Sequence, residues 1–183
     1  MYLALSLSNA QLPRLLISLA VFEAAWFACV AGAAHGQVGW GIAAVAAAIA
    51  AQLAMSKARG TDLKLIAAAL LCGIVWDSTL LNTHVVAYAA PGPVQLLAPA
   101  WILALWAQFG SVLREPLRWL HTRPLLGAAL GAVGGTASYA AAQSLGACTF
   151  PMPQLAVPVL AAGWAILAPL LLWLAHRWEA GDR

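Results

Sequence analysis

Apolar residues run through the chain in six long stretches that are separated by short polar segments. Each stretch approaches the length of about 20 residues that an α-helix needs to cross the hydrocarbon core of a bilayer. We therefore predict an all-α membrane protein, a bundle of six transmembrane helices that forms a single integral membrane domain over residues 1–183. The predicted helices are residues 15–34, 38–55, 64–82, 94–113, 124–146 and 154–176.

The composition favours the same class. The chain is 63% hydrophobic and 8% charged, whereas a soluble domain typically carries about 25% charged residues. Its mean hydropathy is +0.85, so there is too little polar surface to cover a globule in water. The basic pI of about 9.0 does not indicate nucleic-acid binding, because the nine Lys and Arg residues lie in short segments between and beside the predicted helices, with Lys64 at the first position of the third.

The positions of the basic residues predict the orientation of the chain. The segments after the second and fourth predicted helices, together with the two flanks of the bundle, hold all nine Lys and Arg residues. The segments after the first, third and fifth helices hold none. Cytoplasmic loops of membrane proteins are rich in Lys and Arg, so we expect both termini to be cytoplasmic.

Two acidic residues inside predicted helices are candidate functional groups, Asp77 in the third helix and Glu23 in the first. A carboxylate inside hydrocarbon costs roughly 2.5–3.5 kcal/mol, so such residues usually face the bundle interior and have a partner. Each has two interpretations. It is a proton carrier, a cation ligand or an acid/base group, or it is a carboxyl that ties helices together through hydrogen bonds to an indole or a hydroxyl.

Polar and aromatic residues near these two carboxyls extend the hypothesis. Three polar residues are expected on the outer side of the membrane, and two tryptophans lie next to the carboxyls in sequence. We predict an outward-facing polar cavity around Asp77 that binds or transports a small or lipidic molecule, with membrane lipids as the other neighbours. The predicted ligand-binding residues are Asp77, Glu23, His84, His35, Trp26, Trp76 and Asn82.

Other kinds of chemistry lack a sequence signal. The histidines match no metal signature such as HExxH, and there is no nucleotide loop, nucleophile elbow or haem motif. We therefore predict no metal and no cofactor. The fifth helix carries small residues at helical spacing, Gly127, Gly131 and Gly135, a pattern typical of close helix–helix contact and a candidate docking face for a partner membrane protein.

Three functional alternatives stay open. The first is binding or transport through the cavity, which we favour because a small bundle with buried carboxylates and no redox or nucleophile motif fits it best. The second is a membrane enzyme of lipid modification that uses Asp77 and His84 as an acid/base pair, although no catalytic residue can be assigned. The third is a non-catalytic subunit of a membrane complex.

Six ordered motifs carry a resemblance to a known family. They are Trp26-Phe-Ala-Cys-Val, Gly32-Ala-Ala-His35-Gly, Trp76-Asp77-Ser78, Trp101-Ile-Leu-Ala-Leu-Trp106, Leu117-Arg-Trp119-Leu and Gly131-Ala-Val-Gly-Gly135. With them the chain resembles the domain of unknown function family 2878 from about residue 15 to residue 174. The resemblance implies a multi-pass protein of the bacterial inner membrane, in Gram-negative species, with genes for membrane fatty-acid modification and stress response nearby. The family has no assigned catalytic residues, so the resemblance identifies none in this chain.

Overall fold

The computed structural model describes residues 11–181, apart from the side chains of residues 11, 12 and 14. Within this range the chain forms six α-helices, two short strands and one 3₁₀ helix, so the predicted all-α class is confirmed. The α-helices are α1 (Gln11–Ala34), α2 (Val38–Met55), α3 (Arg59–Asn82), α4 (Ala100–Val112), α5 (Pro124–Ser144) and α6 (Pro153–Gly181). The connections contain β1 (Ala87–Tyr88), β2 (Cys148–Thr149) and the 3₁₀ helix Arg118–Leu120.

Five of the six described helices are long and apolar enough to cross a membrane. The exception is α4, whose 13 residues extend about 20 Å at 1.5 Å per residue, less than the roughly 30 Å of a hydrocarbon core. It begins six residues later than predicted. In contrast, α3 begins five residues earlier than predicted, and α6 continues five residues beyond its predicted end.

The late start of α4 has a local cause. Pro99 lies at the N-cap with an extended backbone, and the segment before it is bound to the end of α3 instead of continuing the helix. There the Ala98 amide donates to Ser78 Oγ at 3.0 Å, and Asn82 Nδ2 donates to the Leu96 carbonyl at 2.9 Å. These bonds satisfy backbone groups of residues 94–99 without helical pairing, which periodicity alone could not predict.

The connections meet at the two ends of the bundle. At one end β1 pairs antiparallel with β2, with Tyr88 opposite Cys148, which joins the α3–α4 and α5–α6 connections. The α1–α2 connection lies at the same end, because Gly146 approaches Ala34. We call this the strand end.

At the opposite end, ion pairs join the remaining connections. Arg114, just after α4, pairs with Asp62 in the first turn of α3 at 2.7 Å, and both side chains are buried. Arg118 pairs with Glu179 near the end of α6 at 2.7 Å. We call this the arginine end. Its basic residues are the ones predicted above to be cytoplasmic from the charge bias of membrane proteins.

Helix packing relies on tryptophans that lie against glycines. The main packed pairs are α5 with α6, α3 with α4, and α1 with α2. In three places an indole occupies the position where a Cβ on the neighbouring helix would be, so only glycine fits there. The pairs are Trp106 on Gly73, Trp76 on Gly163, and Trp164 on Gly135. They connect α4 to α3, α3 to α6, and α6 to α5.

The small-residue face of α5 packs on α6 of the same chain. A Cβ on Gly131 would lie 2.5 Å from Ala168 Cβ and 2.6 Å from the Trp164 carbonyl oxygen. Gly127 and Gly135 also approach α6. The face that was predicted to dock a partner protein is therefore occupied by α6, because glycine allows the two backbones to come this close.

Candidate functional site

A groove of about 550 Å³ lies between α1 and α5, and side chains of α4 and α6 form its floor. It exists because α1 packs on α2 and α4 but not along α5. Its volume lies within the range of about 300–1,000 Å³ typical of ligand sites. Towards the arginine end it reaches Leu117, Trp119 and Leu120.

The α5 wall owes its open space to glycine. Gly134 lines the groove, and nothing lies within 4 Å of the position that a Cβ on it would take. The adjacent Gly135 instead lies under the Trp164 indole. Consecutive helical residues point about 100° apart, so Gly135 contacts α6 at the edge of the groove while Gly134 borders its open space.

The α1 wall consists of Phe22, Glu23, Trp26 and Phe27, whose spacing places them on one side of the helix. A hydrogen bond ties this part of α1 to α4, because Gln108 Nε2 donates to the Phe22 carbonyl at 2.8 Å. It fixes α1 beside the groove that Glu23 lines.

Glu23 is the one carboxylate among the described groove residues. It lies near the middle of the apolar span, about 12 Å along the helix from Leu15. Its side chain is exposed, and within residues 11–181 it has no hydrogen bond and no ion pair. A carboxylate at this depth normally has a partner, and the rest of the described chain supplies none to Glu23.

Aromatic side chains cover much of the groove surface. They come from all four helices and from the arginine end, and they are Phe22, Trp26, Phe27, Trp106, Phe109, Trp119, Tyr139 and Trp164. Trp106 and Trp164 stack with ring centroids 4.9 Å apart and planes 6° apart. The Trp164 indole N–H is buried without a partner in the described chain, so it faces packed protein and not the open space of the groove.

Asp77 lies behind this surface and is fully buried. One carboxylate oxygen accepts hydrogen bonds from the hydroxyls of Tyr88 and Tyr139, the latter at 2.5 Å. The other oxygen accepts from the Trp106 indole N–H at 2.5 Å. Because Trp106 and Tyr139 also line the groove, Asp77 fixes two groove residues without lining the groove itself.

Tyr88 closes the strand end over Asp77. Burial raises the pKa of the Tyr88 phenol well above its ordinary value, so the hydroxyl stays protonated and donates. A cavity of about 20 Å³ lies beside Tyr88 and Tyr139, enough for about one water molecule. The prediction of an outward-facing polar cavity around Asp77 is therefore wrong in its position, because two phenols and an indole fill the space around the carboxylate.

The predicted ligand-binding residues divide into two groups. Glu23 and Trp26 line the groove. The others lie elsewhere, since Asp77 is sealed and Trp76 packs on Gly163.

The three polar residues expected above Asp77 lie exposed at the strand end. His35 Nδ1 lies 2.8 Å from the Ala31 carbonyl, and Asn82 binds the α3–α4 segment. His84 has a positive φ of 56° and makes no hydrogen bond to Asp77 in the described structure. The sequence thus overestimated how many of these residues converge.

Most groove residues were not among the predicted ligand-binding residues, and the most informative of these are Trp106, Gly134, Tyr139 and Trp164. The two tryptophans also serve helix packing, since each lies on a glycine. The Gly134-Gly135 doublet was a usable signal. Only one of two consecutive helical residues can face a given neighbouring helix. The second glycine therefore leaves space on a different side of α5.

Comparison with known proteins assigns the chain to a family but not to an activity. The family model described as Protein of unknown function (DUF2878) matches residues 15–170, which include Glu23, Asp77 and all of the α5 wall. No curated protein and no solved structure matches the chain.

Proposed function

We propose that this chain, which belongs to the DUF2878 family of proteins of unknown function, binds an amphipathic, lipid-like molecule in the groove between α1 and α5. The observation that carries the proposal is Glu23, a carboxylate in the middle of an apolar span that faces an open groove without a partner among the described residues. The membrane is proposed to be the bacterial inner membrane.

The surroundings of the groove support a lipid-like molecule. The groove opens between two helices that are long and apolar enough to span a membrane, so the molecules that reach it are those dissolved in the bilayer. Its lining is largely apolar and aromatic, with the Glu23 carboxylate and the Ser138 hydroxyl as polar groups. A long apolar body with a polar group would match both parts.

The alternative of a lipid-modifying enzyme has less support. It requires Asp77 and His84 to act together, whereas Asp77 is buried among three donors and His84 is exposed at the strand end. A proton transfer also needs the acid or base within hydrogen-bond reach of its substrate. Transport would be a further step after binding in the same groove.

Native mass spectrometry of the protein in a neutral detergent tests the proposal. We expect the wild-type chain to retain a lipid-like adduct and Gly134→Leu to lose it by roughly tenfold or more, because the new side chain fills the groove. Gly39→Leu is the matched control. Gly39 is also an exposed helical glycine, nothing lies within 4 Å of the position that a Cβ on it would take, and it lies outside the groove.

Equal adduct retention in Gly134→Leu and Gly39→Leu would overturn the proposed groove. Thermal melting of both variants shows whether each remains folded. If Gly134→Leu instead releases a bound protein from the solubilised membrane and no small adduct, the occupant is a partner subunit.

A further inference from the structure

We propose that the molecule bound in the groove is a lipophilic organic cation, whose charged group pairs with Glu23 among aromatic rings. This inference rests on the proposed function, since it names the chemical class of the groove's ligand. It is carried by two independent features of the groove, the sign of its charge and the nature of its surface.

The charge of the groove is negative and unbalanced. Glu23 is the one ionisable side chain of either sign that lines it in the described structure, apart from the Tyr139 phenol. The described Lys and Arg side chains lie towards the arginine end, where Arg114 and Arg118 are already paired with carboxylates. A cation that enters from outside would therefore meet no like charge, and its attraction to Glu23 is strong in a medium of low dielectric constant.

The aromatic surface suits the same kind of ligand. The negative face of an aromatic ring attracts a cation within about 6 Å of its centroid, and tryptophan does so best. Trp26 and Phe109 are partly exposed and line the groove, whereas Trp106 and Trp164 are stacked on each other and do not offer free faces. Aromatic rings combined with a carboxylate are how proteins commonly recognise ammonium-type groups, whose charge is spread over apolar carbon.

Other ligand classes fit less well. An anion would be repelled by Glu23 and would find no Lys, Arg or His among the described groove residues. A wholly neutral apolar molecule would leave Glu23 buried beneath it without a partner, which is costly in free energy. An organic cation satisfies the carboxylate and uses the apolar surface at once.

Two probe ions of nearly equal size and opposite charge test the inference: tetraphenylphosphonium and tetraphenylborate. Their binding to the purified protein is measured by isothermal titration calorimetry in a neutral detergent. Binding to Gly134→Leu is subtracted, which removes partitioning into the micelle. We expect the wild-type chain to bind the cation at least roughly tenfold more tightly than the anion.

Glu23→Gln identifies the source of this preference. We expect it to weaken binding of the cation by roughly tenfold and to remove the difference between the two ions, while Glu23→Asp retains the preference in part. Glu115→Gln is the matched control, because Glu115 is an exposed carboxylate at the arginine end, 62% exposed and outside the groove. It should bind both probes as the wild-type chain does.

The outcomes distinguish the cation inference from the proposed function. If both ions bind equally, or the cation does not bind, the cation inference is overturned, while an adduct that Gly134→Leu loses still supports groove binding. If Glu23→Gln keeps the full preference for the cation, Glu23 is not its partner and the inference is overturned too. If the wild-type chain retains no adduct and binds neither probe ion, the proposed function itself is overturned.

Discussion

The two carboxylates inside the spanning helices have opposite surroundings. Asp77 accepts hydrogen bonds from three donors, which belong to α4, α5 and the α3–α4 connection. Glu23 has no such partner in the described chain. Because an unsatisfied charge in an apolar medium is costly and a satisfied one is not, Asp77 acts as a structural tie and Glu23 is the better functional candidate.

Asp77→Asn should destabilise the fold. The amide replaces one acceptor oxygen by a donor, so at least one of Trp106, Tyr88 and Tyr139 loses its bond. Hydrogen bonds to charged groups contribute about 1.5–3 kcal/mol, and we expect a loss of stability of that size. Thermal melting in a neutral detergent measures it.

A double variant provides the control for this prediction. In the Asp77→Asn background, Tyr139→Phe should cost less stability than in the wild-type chain, because its acceptor is already impaired. The same cost in both backgrounds would contradict a shared network.

At the scale of the helix, α5 combines two roles through glycines that differ only in direction. All four glycines border the groove, but Gly127, Gly131 and Gly135 also lie against α6, whereas nothing lies within 4 Å of the Cβ position of Gly134. A residue with any side chain at the first three positions would push α5 and α6 apart. A side chain at Gly134 would instead reduce the space available to a ligand.

Two alanine variants distinguish these roles. Gly131→Ala should lower stability by about 1–3 kcal/mol, because its Cβ would meet Ala168 and the backbone of Trp164. Gly134→Ala should leave stability unchanged or raise it by up to about 1 kcal/mol, because alanine is the better helix former. Thermal melting of both variants measures the change in stability. Equal changes would show that the direction in which each glycine faces does not determine the effect of its substitution.

At the scale of the whole molecule, the six described helices alternate in direction between a strand end and an arginine end. The paired strands hold two connections together at the first end, where the third lies beside them, and two ion pairs join the others at the second. All described Lys and Arg side chains lie towards the arginine end. If the chain follows the usual charge bias of membrane proteins, that end faces the cytoplasm.

Cysteine labelling in intact cells tests this orientation. Gln37 at the strand end and Thr122 at the arginine end are both exposed, so a cysteine at either position should be accessible. A membrane-impermeant maleimide should label Gln37→Cys directly and Thr122→Cys only after the membrane is opened. The unsubstituted chain gives the background from its own three cysteines. The reverse pattern of labelling would invert the proposed topology.

The sequence by itself determined the class of the protein and most of its helices. Hydropathy and length are properties of each segment alone, and a run of about 20 apolar residues has few alternatives to a spanning helix. The expectation that Asp77 faces protein groups also follows from the chain alone, because a carboxylate in hydrocarbon is costly wherever the neighbouring helices lie. Its three donors confirm that expectation.

Only the tertiary structure decided where the open space lies. Whether Glu23 meets another helix or a groove depends on the packing of α1 relative to α5, which nothing in α1 specifies. The start of α4 depends likewise on Ser78 and Asn82, which belong to a different helix. Packing is a relation between distant segments, so the sequence indicated which residues are costly to bury and only the fold showed which of them has a partner.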